Sequence, residues 1–424
     1  MNRTILPRVG FLAISLSLLA YFSAAEDWPQ WRGPNRDGIS KEIGLLKEWP
    51  AGGPKLLWQA NDMGDGYSTP SVVEEWIYVV GNEGPDNEFV QARNVTDGKR
   101  VWSAKIGKVG PNDQRMNYPG GRSTPTVNGD VMYMIGSDGD LACVGKDGKI
   151  RWQKNVRSEF GGKPGRWAYS ESPLVDGDAV ICTPGGAEAT IVALNKKTGD
   201  VIWKSAAGDD EAAYSSPMIA EIGGRKQYIQ FLQKGLVGVD AKNGKLLWRW
   251  DKPAQGSPAN IPSPIAYGDH IFAGSGRAGG GTIRIKAQNE AFEVEEKFFD
   301  KKVPAGIGGA ARIGERLYGG SGPSMLCLDF KSGKLLWEER SLSAAAVCVA
   351  DERIYLHGDD GEVGLIEVNE TAYREKGRFS PPDQPNRGQA KAWTHPVVAN
   401  GRLYIRDLGK MWCYDVKAKL SAAK

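Results

Sequence analysis

The chain has 424 residues, with 54 Lys and Arg against 51 Asp and Glu, a formal charge of +3. So balanced a chain has no basic field with which to gather nucleic acid, and that class of partner is excluded. Gly at 55 and Pro at 24, with no stretch of convincing helical period, point to many short strands joined by tight turns.

The first predicted element is a leader. Arg3 and Arg8 form a basic start, residues 9–22 are nearly all apolar, and Ser23-Ala24-Ala25 supplies the small residues of a cleavage site. A run of about 14 apolar residues is short of the roughly 20 that a bilayer core requires, so residues 1–25 are expected to be removed rather than retained as a span. No Cys lies near the cleavage point, so no lipid attachment is expected. The mature chain is then periplasmic or secreted and begins at Glu26. Residues 26–54 read as an extension packed on the fold, with Trp28 and Trp31 across one end of it.

From Lys55 onward the sequence repeats. A turn, two residues and an aromatic recur, as in Asp97-Gly98-Lys99-Arg100-Val101-Trp102 and Asn243-Gly244-Lys245-Leu246-Leu247-Trp248. The closing aromatics are Trp58, Trp102, Trp152, Trp203, Trp248, Phe298, Trp337 and Phe379. Before most copies stands a small residue and Pro, at Thr69-Pro70, Thr124-Pro125, Ser172-Pro173, Ser216-Pro217 and Ser263-Pro264, with His395-Pro396 near the end. Gly309-Ala310 and Ala345-Ala346 are degenerate versions of the same phrase.

Each unit reads as four strands: residues 126–127, 131–135, 141–144 and 150–152 in the second unit, joined by Asn-Gly and Asp-Gly turns that suit hairpins. One such sheet buries neither face alone, so the sheets must stack around an axis. The last unit supplies only three strands, while Leu56-Leu57-Trp58 is spare at the start. The predicted fold is all-β, an eight-bladed β-propeller of four-stranded antiparallel sheets over residues 55–416. Its ring is closed by pairing the first strand onto the last blade, and residues 417–424 form a tail. The closing aromatics dock each outer strand in the wedge between blades.

At these residues the chain resembles the pyrroloquinoline-quinone (PQQ) type propellers, whose blades carry a tryptophan-docking motif. The matches run from Ala193-Leu194-Asn195 to Trp203, Gly238-Val239-Asp240 to Trp248, and Cys327-Leu328-Asp329 to Trp337. The opening Asp27-Trp28-Pro29-Gln30-Trp31-Arg32-Gly33-Pro34 is similar to that of many secreted bacterial propellers of this class. The resemblance implies one of two branches. One is the quinoprotein dehydrogenases, which hold PQQ and calcium at the axis; the other is the propeller subunit of the outer-membrane β-barrel assembly machine, which binds proteins and has no cofactor.

The dehydrogenase branch implies an adjacent Cys-Cys disulfide, calcium ligands and long insertions. Cys143, Cys182, Cys327, Cys348 and Cys413 include no adjacent pair and no Cys-x-x-Cys-His, and the units are compact. Cys143, Cys327 and Cys413 share a slot filled elsewhere by Ala92, Ala193 and Gly238, so they are expected to be buried free thiols. No metal site is expected of His270, His357 and His395, which lie in different units, nor of the turn Asp359-Asp360-Gly361-Glu362. Gly274-Ser275-Gly276-Arg277-Ala278-Gly279 precedes a strand rather than a helix, so it reads as a hairpin and not a phosphate loop. No catalytic residue and no cofactor are expected. The reading is an exported, monomeric binding or scaffolding module for a protein or small-molecule partner. A PQQ-dependent alcohol or sugar dehydrogenase, with PQQ and calcium, is the alternative.

The candidate site is the channel mouth, where the loops entering the innermost strands converge. The third residue before each Pro-equivalent gives Tyr67, Arg122, Ser170, Tyr214, Ile261, Ile307, Ser343 and Trp393, with Arg166, Trp167, Glu171, Lys391 and His395 nearby in sequence. Two roles fit this rim: a ligand site built by stacking and ion pairing, or a plug that fills the channel and satisfies loop backbone.

Overall fold

The computed structural model describes residues 26–111 and 118–419. The expected leader and the end of the tail lie outside the described residues. Among those residues eight sheets form, each with its strands in meander order. Blade 1 spans residues 71–107, blade 2 126–155, blade 3 174–205, blade 4 218–250, blade 5 265–300, blade 6 310–340 and blade 7 345–379. Blade 8 takes three strands from residues 397–415 and its outermost from Lys55–Ala60, so that Trp58 lies opposite Cys413 and the two ends of the chain close the ring. Among the described residues no helix is long and apolar enough to cross a membrane.

The repeated phrase encodes a β-bulge. Between Leu56 and Trp58, Ile150 and Trp152, Leu246 and Trp248, and Leu335 and Trp337, the outermost strand skips one partner. The extra residue kinks an edge strand that would otherwise offer a free ladder to another chain. It also turns the aromatic toward the next blade. Trp58 Nε1 donates to the Val95 carbonyl of blade 1 (2.9 Å), Trp102 to Lys146 of blade 2 (2.8 Å), Trp152 to Lys196 of blade 3 (2.9 Å) and Trp337 to Asn369 of blade 7 (2.8 Å).

The same geometry explains the small residue in the third strand. Ala92, Cys143, Ala193, Gly238, Cys327 and Cys413 each lie directly opposite the docking Trp of their own blade, and a larger side chain would meet its ring. All five cysteines are buried free thiols, as the shared slot predicts for Cys143, Cys327 and Cys413.

The next blade's turn glycine sits beneath the ring, closest at Gly333 under Phe298 and nearly as close at Gly98 and Gly244. Gly244 has φ +73° and an added Cβ would lie 2.5 Å from Trp203, whereas Gly129, at φ +62°, has nothing within 4 Å. Gly129→Ala is therefore expected to cost only the left-handed backbone, about 1–2 kcal/mol, and Gly244→Ala at least about 1 kcal/mol more because the indole must move. Equal losses in urea unfolding would contradict the docking role of Trp203.

Trp248 departs from the pattern. Its Nε1 donates to Gln227 Oε1 of its own blade (2.7 Å) rather than to the next. The reason lies in blade 5, whose outer hairpin pairs Gly279–Gln288 with Ala291–Asp300 and turns at Asn289 without a glycine, so no docking turn is offered. Trp248 is still buried, in a cluster that reaches Ile271 and Ile283 of blade 5.

The innermost strands face the axis with one edge unpaired, and the extension fills it. Trp28 exchanges two backbone hydrogen bonds with Val72 of blade 1, and the Pro29 carbonyl accepts from Val127 of blade 2. Arg36 donates to the carbonyls of Ser172 and Pro173 in blade 3, and Arg32 to Ala310 in blade 6. Ile39–Ser40 then runs parallel to Val349 and Ala350 of blade 7. Residues 28–40 thus plug the channel, and the inner strands' backbone groups find partners in them. Rather than capping one end together, Trp28 packs on a wall and Trp31 points along the axis.

Candidate functional site

The Ser/Thr-Pro phrase positions the mouth. Thr124 N–H donates to Ser172 Oγ (2.9 Å), Ser172 N–H to Ser216 Oγ (2.9 Å), Ser216 N–H to Ser263 Oγ (3.3 Å) and His395 N–H to Thr69 Oγ1 (3.2 Å). Each hydroxyl ties one blade's inner strand to its neighbour's, which is why that position is Ser or Thr. The hoop fixes the loops three residues upstream.

Those loops enclose a cavity of about 330 Å³ on the axis. Seven of the eight repeat-equivalent positions line it: Tyr67, Arg122, Ser170, Tyr214, Ile261, Ile307 and Trp393. Two aromatic groups line it. Tyr67, Tyr118 and Trp393 form one, with ring centroids 5.1 to 6.3 Å apart, and Trp167 with Tyr214, at 5.8 Å, forms the other. Arg122 stands between them. Its guanidinium donates to the Pro119 carbonyl (2.9 Å) and reaches Ser170 Oγ (3.5 Å).

The floor is Trp31 from the plug. Its Nε1 donates to Ser263 Oγ (3.0 Å) and its ring meets His395 edge to face, centroids 4.8 Å apart. Burial, with Arg32 nearby, drives the His395 imidazole down to about 3, so it is neutral across the physiological range. Burial likewise raises the Tyr214 phenol to about 12 and moves Tyr67 the same way, so both remain protonated donors. Behind Arg122, Glu88 accepts from Gly121 N–H (2.7 Å), Ser137 N–H (2.9 Å) and Ser137 Oγ (2.7 Å), and it does not line the cavity.

Four sequence-predicted residues stand elsewhere. Ser343 Oγ accepts from Asp360 N–H (3.2 Å) inside blade 7 and does not line the cavity. Arg166 is exposed and stacks on the outside of Trp167 at 5.5 Å, and Lys391 pairs with Asp359 (3.4 Å). Glu171 follows Ser170 in extended chain, so it points the opposite way, into the wall, accepting from Thr183 N–H (2.6 Å).

The missed residues are Trp31, Tyr118, Ser216 and Ala259. Ser216 carries a signal, since it is the hydroxyl of a Ser-Pro phrase. Tyr118 and Ala259 follow no repeat, and Trp31 arrives with the plug.

Glu171 is 2 % exposed, and burial pushes its carboxyl up to about 7 against the pull of Thr183 and Arg36. In the unfolded chain it releases its proton near roughly pH 4.3. Between the two values the folded state holds a proton that the unfolded state has lost, so this group makes stability fall as pH rises toward 7. Glu171→Gln is expected to remove that loss, so that the drop in unfolding free energy from about pH 5 to about pH 8 shrinks by about 2–3 kcal/mol. An unchanged slope in urea titrations would contradict it.

The described part of the mouth offers few of the groups that a calcium-bound quinone requires. PQQ carries three carboxylates; among the described residues one guanidinium and no acidic or amide side chain line the cavity. No group of three or more His, Cys, Asp or Glu among the described residues is placed to hold a metal ion.

A family profile described as outer membrane protein assembly factor BamB, built on PQQ-type repeats, matches residues 44–165 and 86–321. The chain is 22 % identical to the outer membrane protein assembly factor BamB of Burkholderia pseudomallei, over 66 % of this chain and 68 % of that one. It is 28 % identical to the quinoprotein alcohol dehydrogenase PedH of Pseudomonas putida, but over 42 % of this chain and only 29 % of the dehydrogenase. Among solved structures, BamB from Moraxella catarrhalis superposes with TM-score 0.59 at 15 % identity, covering 85 % of this chain and 99 % of that one. The quinohemoprotein alcohol dehydrogenase of Comamonas testosteroni gives 0.62 at 13 % identity, over 94 % and 82 %. At such identities the superpositions show a shared propeller fold and not a shared activity.

Proposed function

This chain belongs to the family of the outer membrane protein assembly factor BamB, and from that premise we propose that it is an exported, non-catalytic binding module acting through its channel mouth. The observation that carries the reading is convergence. Seven repeat-equivalent side chains and an indole from the plug enclose one blind, aromatic-walled cavity. Large rings held by buried loops supply contact area at little entropic cost, as in the anchoring centres of protein interfaces. The relatives named as assembly factors support a protein partner and a place in the cell envelope.

Arg122→Met combined with Trp393→Leu is expected to abolish capture of the partner from envelope extracts while circular dichroism and the unfolding midpoint stay close to those of the parent. Capture that persists at the parental level would remove the mouth as the site.

The similarity to quinoprotein dehydrogenases sustains a second reading, a PQQ-dependent alcohol or sugar dehydrogenase. It is tested by adding PQQ and calcium and following dye reduction with a panel of alcohols. Turnover would overturn the non-catalytic reading, and its absence under conditions that activate a known quinoprotein would support it.

A further inference from the structure

We infer that leader removal completes the neck of the plug: cutting the chain between Ala25 and Glu26 turns the Glu26 nitrogen into an ammonium that pairs with the buried carboxylate of Glu42. This concerns the end of the channel away from the mouth and does not depend on what the mouth binds.

The plug is a loop inserted from that end. Its two stems meet where residue 26 enters and residue 42 leaves, beside the turns that close the inner strands of blades 1 and 8. Glu26 ties the stems together. Its Oε2 accepts from Lys41 N–H (2.6 Å), its other carboxylate oxygen lies 3.8 Å from Lys41 Nζ, and its own backbone nitrogen lies 3.4 Å from Glu42 Oε1. One residue on, Asp27 Oδ1 accepts from Glu74 N–H in the blade 1 turn (2.9 Å). On the other stem, Glu42 Oε2 accepts from Gly401 N–H in the blade 8 turn (2.6 Å). The nitrogen of residue 26 is therefore held against Glu42 by contacts on both sides of it.

What this neck lacks before cleavage is a countercharge. Glu42 is 4 % exposed, and burial pushes its carboxyl above the usual range, against the pull of the Gly401, Asn400 and Glu26 N–H groups. Among the described residues no Lys or Arg side chain forms an ion pair with it, and Lys417 acts on it from farther off. An amide N–H at 3.4 Å supplies one long, neutral bond.

Hydrolysis by a leader peptidase changes that group. The Ala25–Glu26 amide bond breaks and takes up water, Ala25 departs as a carboxylate, and the Glu26 nitrogen gains two protons and a positive charge. An α-ammonium loses its proton only near pH 8, so it is charged at neutral pH, and charge-assisted contacts are shorter and stronger than neutral ones. Two independent features fall on one bond. The small residues Ser23-Ala24-Ala25 mark it for cutting, and the fold sets a buried carboxylate beside the nitrogen that the cut releases.

Two measurements test this. The chain expressed with its leader and recovered from the envelope is expected to have the mass of residues 26–424, and a start at any other residue would overturn the assignment. Amide exchange then compares a chain beginning at Glu26 with one beginning at Ser23, which keeps the amide at residue 26. The Val349 amide, bonded to Gly38 of the plug, is expected to exchange about threefold or more slowly in the chain that begins at Glu26. In Glu42→Gln, which keeps the shape and removes the charge, the two starts should exchange alike. Equal exchange from the two starts in the parent would overturn the pair. A difference that survives Glu42→Gln would trace to the added residues and overturn it as well. Should Glu42→Gln not fold, the two starts of the parent decide.

Discussion

Trp58→Ala is expected to lower unfolding free energy by about 3–5 kcal/mol, the range for emptying a large buried site. Trp58 is 8 % exposed and bonds across the seam to Val95. Its ring lies against Gly98 of blade 1 and faces Tyr404 of blade 8 at 6.2 Å. Burying ~150–250 Å² of indole at ~25 cal/mol per Å² gives an upper bound of roughly 4–6 kcal/mol, so the two routes agree. This docking residue differs from the rest in one respect. Its strand is held to blade 8 by pairing alone, so weakening it opens the ring as well as one interface. Leu57, the bulge residue beside it, is 38 % exposed, and Leu57→Ala should change stability by no more than about 0.5 kcal/mol. Chemical denaturation of the two variants checks this, and equal effects would mean that the seam is not held by the indole.

Trp28→Ala is the second large effect, again about 3–5 kcal/mol. Trp28 is 2 % exposed on the inner strand of blade 1, and its backbone completes the Val72 edge in both directions. Losing the ring should release the plug locally before the ring unfolds globally. Amide exchange at Val72, and at Val349, whose N–H donates to the Gly38 carbonyl (2.8 Å), is then expected to speed up more than that of the outer strands. Uniform acceleration of all amides would mean that residues 28–40 have no separate opening and that the plug is simply part of the core.

The fold was legible because each blade must solve the same packing problem. An aromatic that meets a neighbour's turn, a small residue beneath it and a hydroxyl that reaches the next blade recur around the ring, with six small residues opposite a docking Trp and four hydroxyls that bridge blades, and repetition exposes them. Trp248 shows the limit. Its sequence phrase matches the others, yet its indole turns inward because of a hairpin some 40 residues away, and no local pattern reports that distant length.

At the site, the rim was legible by offset from the repeat phrase and failed at Ser343, whose hydroxyl is engaged by Asp360 inside blade 7. Arg166 and Glu171 were drawn in by adjacency, but chain direction separates neighbours: Ser170 lines the cavity and Glu171 does not. The plug was the largest gap. Residues 28–40 occur once, carry no period and bond mainly to backbone edges, so nothing in their side-chain pattern names the channel as their place. Trp31, the floor of the cavity, was hidden with them.

Partners are expected to meet this propeller at its channel mouth and not on its outer girdle, where Val101, Ile150 and Ile202 are exposed. Photo-crosslinking from benzoylphenylalanine placed singly at Trp393, Ile307 or Ile202 in the envelope tests it directly. Adducts from the first two positions and none from Ile202 are the predicted result. Adducts from Ile202 alone would contradict the account.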